Sequence, residues 1–117
     1  MAWSSACAAE MLWSEPRRIL AYREPVDMRK QFNGLVGLVQ NALGEDPLSG
    51  SAYVFFNRRR NILKAVYWDR TGFCLFAKRL EHGRFVLQGT ETTRVLDDRT
   101  MRLLLDGIQL GRRQRMR

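Results

Sequence analysis

Hydrophobic positions along this chain follow two spacings. From residue 28 to 43 they recur at steps of three and four, as Met28, Phe32, Leu35, Val36, Val39 and Leu43, and at about 100° per residue they share one stripe. Asp27 stands just ahead of them, where a carboxylate caps first-turn amides, so the spacing predicts one long helix. Its other side carries Lys30, Asn33, Gly34, Gly37 and Asn41, and each interior glycine costs about 1 kcal/mol relative to alanine. Either a strong core stripe tolerates that bare backbone or another group approaches it closely. Gly44 and the polar segment 45–50 end the helix.

The second spacing is that of strands. Short runs rich in Tyr, Val, Phe and Ile occupy 19–22, 52–57, 62–69, 73–79 and 84–88, separated by turn-forming residues. The links between the last four are short enough to allow only antiparallel neighbours, which predicts a meander that the first strand can join. Alternation puts Tyr53 and Phe55 on one face and Val54 and Phe56 on the other, so this strand should be covered on both sides. After Gly89 a polar stretch leads to Asp97, which can cap a second helix carrying Met101, Leu104, Leu105 and Ile108 and ended by Gly107. The expected fold is α+β: an antiparallel β-meander of about four to five strands, one long helix packed on a face, and a short C-terminal helix. Residues 1–14 read as a loose leader, with Met11 an alternative start; 15–111 form a single domain, and 112–117 a mobile basic tail.

The chain has 117 residues, enough for one core, and no apolar run long enough to span a membrane. Charge changes the picture more. Twenty basic residues face twelve acidic ones for a net +8, and seventeen of the twenty are Arg. A guanidinium grips phosphate or carboxylate at two points, so an anionic partner is expected, nucleic acid first; the bland alternative is a genome-wide preference for Arg codons. Arg58, Arg59 and Arg60 stand together at an expected hairpin tip, where they repel one another and a polyanion would relieve them. Rings such as Tyr67, Trp68, Phe73 and Phe76 interleave with these cations, but most such rings are core rather than a stacking platform for bases.

Catalytic chemistry finds few parts. Asp27, Asp69, Glu81, Asp97 and Asp98 are the carboxylates a two-metal site would draw on, yet each has a helix-cap, first-turn or hairpin role that explains it. His82 is the only histidine and sits in a turn beside Gly83; Cys74 reads as a small buried hydrophobe, and Cys7 lies too far away in sequence context to suggest a disulfide. No phosphate loop spacing occurs. The residues point to no enzyme, no metal and no cofactor, in a cytoplasmic protein.

Several ordered motifs stand together: Asp27-Met28-Arg29-Lys30, Phe32, Gly34-Leu35, Leu38-Val39-Gln40, Asp46-Pro47, Ser49-Gly50, Val54-Phe55, Arg58-Arg59-Arg60, Leu63-Lys64, Trp68-Asp69, Gly72-Phe73, Lys78-Arg79-Leu80-Glu81 and Gly83-Arg84-Phe85. Over about residues 17 to 108 this series resembles the TnpB accessory proteins of insertion sequence family sixty-six. The resemblance implies a non-enzymatic factor encoded beside a transposase and needed for efficient transposition, with the DNA-cutting carboxylates on the transposase. It places Arg29, Lys30, Arg58, Arg59, Arg60, Lys64, Lys78 and Arg79 inside shared motifs as candidate nucleic-acid contacts. DNA is the expected partner, together with the transposase and the other accessory protein of the element; the alternative is an adaptor that meets those proteins without touching DNA. The chain departs from its relatives after Phe85, where many continue Trp-Pro and this one has Val86-Leu87-Gln88.

Overall fold

The computed structural model describes residues 18–107, so the expected leader, the basic tail, Cys7 and Ile108 lie outside the described residues. Strand β1 (Ile19–Tyr22) leads into helix α1 (Phe32–Asn41), followed by β2 (Ala52–Phe56), β3 (Ile62–Trp68), β4 (Phe73–Arg79), β5 (Thr93–Leu96) and helix α2 (Asp98–Leu105). The strands form one sheet in the order β4-β3-β2-β1-β5.

The meander expectation holds for β2, β3 and β4, which pair antiparallel through short hairpins. The sheet as a whole is mixed rather than antiparallel, because β1 pairs with β2 in parallel. The reason is connection length: the segment between Tyr22 and Ala52 holds a helix and can cross over, which a tight turn cannot do. On its other edge β1 pairs antiparallel with β5, a strand the sequence reading passed over as a polar stretch.

Both faces of β2 are covered, as alternation requires. On one side Tyr53 and Phe55 join Leu20, Val66, Leu35 and Val39 beneath α1. On the other, Val54 and Phe56 join Ile19, Leu63, Ala65, Phe85 and Leu87 with Met101, Leu104 and Leu105 of α2. All five residues of β2 are buried, so it is the central strand in packing as well as in order.

Two local expectations need correction, and an open alternative is decided. First, α1 is short and starts at Phe32, with Gln31 flanking it and no side-chain cap. Asp27 instead closes a separate turn, accepting from the Arg29 amide at 2.9 Å while its own carbonyl accepts from the Lys30 amide. The carbonyls of Met28 and Lys30, which a helix through this region would use internally, accept from Lys64 Nζ. Within the expected stripe only Leu35 and Val39 are fully buried, and Phe32 is 44% exposed.

Second, 84–88 forms no strand. Phe85 and Leu87 still bury against the sheet, but the backbone is satisfied by an arginine rather than a neighbouring strand. The Arg23 guanidinium donates to the carbonyls of Leu87 (2.9 Å), Gln88 (2.7 Å) and Glu91, and Arg94 donates to Gln88 again. The two helix glycines divide. A Cβ at Gly34 would meet Lys30 Cβ and Cγ at 3.0 Å, whereas one at Gly37 would meet nothing, so close approach explains the first and simple tolerance the second. The second helix is as the sequence suggests: Asp97 accepts from the Thr100 amide at 2.7 Å, and Gly107 leaves it at a left-handed φ of 77°.

Candidate nucleic-acid interface

The strand register decides where the charges go. β1 and β2 run in parallel and end together, so the turn containing Arg29 and Lys30 and the β2–β3 hairpin containing Arg58, Arg59 and Arg60 lie at the same end of the sheet. Ile62 pairs with Arg79 and Leu63 with Lys78, which brings the end of β4 there as well. The Phe85 amide donates to the Arg60 carbonyl and so places Arg84 beside them. At the opposite end stand Glu45 and Asp46 ahead of β2, Asp69 in the β3–β4 hairpin, and Asp97 and Asp98 after β5. Cations therefore crowd one end of the sheet, a basic pole where they outnumber the carboxylates Glu24, Asp27, Glu81 and Glu91 that share it, while Arg18 and Arg70 stand at the other end.

Within that pole the eight candidate residues have different fates. Arg58 and Arg59 are exposed at the hairpin tip, held out by a turn that Asn57 organises: its side-chain oxygen accepts from the amides of Asn61 and Ile62 at 3.0 Å each. Arg60 turns the other way. It sits at a left-handed φ of 62°, lays its guanidinium 5.0 Å from the centre of the Phe56 ring and donates to the Arg23 carbonyl at 2.8 Å. Burial, then the nearby Arg23 guanidinium, lowers the pKa of Arg60 from its usual value. The three hairpin arginines are thus two outward cations and one that ties the tip to the sheet.

Lys64 is 8% exposed, and its ammonium is engaged by the Met28 and Lys30 carbonyls at 2.8 and 3.0 Å. Arg29 is almost fully exposed and pairs with Asp27 at 2.7 Å; Arg79 pairs with Glu81 at 3.3 Å. Lys30, Lys78, Arg58, Arg59 and Arg84 make no ion pair among the described residues. Arg84 was not among the candidates drawn from the sequence, although it stands in the Gly83-Arg84-Phe85 motif.

Hydrogen bonds from the Arg29 guanidinium first and the Arg29 amide second hold the Asp27 carboxyl below its ordinary 3.8, at about 2. A depressed carboxylate supports the turn fully above pH 3.8 and loses that support as pH falls through about 2. Protection of the Arg29 amide, which donates to Asp27, relative to its intrinsic exchange rate at each pH is therefore expected to fall across that window. Asp27→Asn should remove that loss of protection; protection with the same pH response in both proteins would show that the pair does not hold the turn.

Among the described residues no three of His, Cys, Asp and Glu gather closely enough to hold a metal ion, and His82 lies exposed in its loop. Burial pushes the Cys74 thiol up in pKa, which suppresses the thiolate a nucleophile needs. The rings of Tyr53, Phe55, Phe56 and Phe85 are core, leaving none of them free to stack on a base. No helix among the described residues is long and apolar enough to cross a membrane.

Comparison with known proteins adds kinship. Two proteins of Sinorhizobium fredii (strain NBRC 101917 / NGR234), "Uncharacterized protein y4jC" and "Uncharacterized protein y4hO", are each 45% identical to the chain, over 69 and 65 residues. The first match covers 59% of both chains and the second 56% of both, so the chain spans less than two thirds of either relative. No solved structure matches it. A family model described as "IS66 Orf2 like protein" matches residues 17–115, nearly the whole chain, and on that match this protein belongs to the IS66 Orf2-like family.

Proposed function

We propose that the protein is a non-enzymatic accessory factor for transposition of a bacterial insertion sequence, and that it holds DNA through the basic pole of its sheet. Family membership supports the accessory role. The DNA reading rests on one observation: the register collects Lys30, Arg58, Arg59, Lys78 and Arg84 at one end without ion-pair partners among the described residues, in excess over the carboxylates Glu24, Asp27, Glu81 and Glu91 that share that end. Unpaired cations on a shared pole lower their mutual repulsion by binding a polyanion, and phosphate contacts of this kind position a duplex without reading its sequence. With no base-reading geometry among the described residues, sequence specificity is weak or supplied by the transposase.

A protein adaptor is the second reading, favoured by the exposed Phe32 ring next to Lys30 and Arg29, an apolar and basic surface of the kind that meets acidic protein patches. Fluorescence anisotropy with labelled duplex DNA separates the two. Binding by the purified protein alone, falling steeply with salt, supports the DNA reading. Silence with DNA at low salt, broken only when transposase is added, establishes the adaptor.

A further inference from the structure

Lys64 is the most buried of the candidate cations, and what it touches is the backbone beneath two others. Its ammonium donates to the carbonyls of Met28 and Lys30, the two that flank Arg29. It reaches them from β3, where it pairs with Phe55 on the face that α1 covers. No carboxylate neutralises it among the described residues. A surface lysine is normally a long, mobile point charge; here the side chain is a fixed strut between the sheet and a turn.

The turn it supports is tightened twice more. Asp27 binds the Arg29 guanidinium through both carboxylate oxygens, at 2.7 to 3.1 Å, and accepts from the Arg29 amide. The stem of Lys30 lies across α1 so closely that a Cβ on Gly34 would stand 3.0 Å from it. Strut, carboxylate clamp and helix surface thus fix the backbone from which both outward cations spring.

We propose that Lys64 is a positioning residue: it touches no phosphate, and it sets the Asp27–Lys30 turn so that Arg29 and Lys30 present their charges in register with the hairpin arginines. This rests on the DNA reading above for what the cations bind, but not for the strut itself. Preorganised cations avoid the ordering cost that free side chains meet on binding, so a missing strut weakens binding by mobilising its neighbours.

Lys64→Met keeps the chain length and removes the donor. In the full protein, trypsin cleavage after Arg29 and Lys30 should accelerate by about tenfold, the consequence of losing the bonds of one charged donor. Unchanged cleavage overturns the strut. With duplex DNA, Lys64→Met should lose as much affinity as Arg29→Ala/Lys30→Ala, and adding it to that double variant should cost nothing more. Multiplying losses would make Lys64 a direct phosphate contact and overturn the proposal, as would unimpaired binding by Lys64→Met.

Gly34→Ala provides an independent route should Lys64→Met fold poorly. Alanine favours the helix, so stability should hold or rise, while the displaced Lys30 stem lowers DNA affinity. Full affinity in Gly34→Ala would contradict a turn whose geometry matters. If the wild-type protein binds no DNA at any salt concentration, the functional reading fails by itself, and the trypsin comparison still decides the strut.

Discussion

Replacing Arg58 and Arg59 together by Ala is expected to weaken duplex DNA binding roughly 200-fold at 50 mM salt and only about 20-fold at 200 mM. Both numbers follow from counterion release: two lost phosphate contacts lower the log–log salt slope by about 1.8, and the electrostatic term vanishes near 1 M salt. The wild-type protein, if its outward cations neutralise about four phosphates, should itself lose roughly a hundredfold between 50 and 200 mM. Arg58 and Arg59 lie exposed at the hairpin tip without ion pairs among the described residues, so their removal should leave the unfolding midpoint nearly unchanged. Arg60→Ala should behave in the opposite manner. Its guanidinium stacks on Phe56 and bonds the Arg23 carbonyl, so it should lower stability with little change in salt slope. Salt titrations by anisotropy on the three proteins check this directly. A slope that falls with Arg60 and not with Arg58 and Arg59 would invert the assignment of outward and inward residues.

Arg23→Ala is expected to be among the more damaging single substitutions outside the apolar core, at about 1.5 to 3 kcal/mol. One guanidinium satisfies the carbonyls of Leu87, Gln88 and Glu91, and its side chain is 17% exposed. Removing it leaves the Leu87 carbonyl without its donor, while Gln88 keeps Arg94, in a segment whose Phe85 and Leu87 close one face of the sheet. Against a typical total of 5 to 15 kcal/mol, the loss should show plainly as a lower denaturant midpoint. Arg23→Lys should recover only part, because one ammonium cannot span three carbonyls as a planar fork does. Amide exchange should accelerate first in 85–92, with β2 and β3 following only on global unfolding. A midpoint unchanged in Arg23→Ala would mean that the burial of Phe85 and Leu87 alone holds the segment.

The same arginine explains why a strand at 84–88 was legible in the sequence yet absent from the fold. Alternating Phe85 and Leu87 carry the apolar signal of a strand, and they do bury as one would. Periodicity reports which side chains go inside; it does not report who satisfies the backbone, and here a side chain from the end of β1 does. β5 fails in the reverse sense. Of its four residues only Leu96 is buried, and Val95 is 57% exposed, so the strand exists by pairing with β1 rather than by pattern.

The candidate site divides on similar lines. That Arg29, Lys30 and Arg58 to Arg60 are unusual is visible in the sequence, since consecutive cations at turns gain nothing from a core. That Arg60 and Lys64 point inward is not, because it depends on a ring and on carbonyls supplied by residues distant in the chain.

Local patterning alone determined the meander of β2 to β4, the two-sided burial of β2, the Asp97-capped helix and the Arg-rich hairpin, because each depends on neighbours a few residues apart. Tertiary structure decided the parallel placement of β1, the late start of α1, the irregular 84–92 segment and the gathering of cations at one pole. Those outcomes depend on hydrogen bonds and strand register between segments far apart in sequence, and a residue's type does not encode which distant carbonyl or strand will face it.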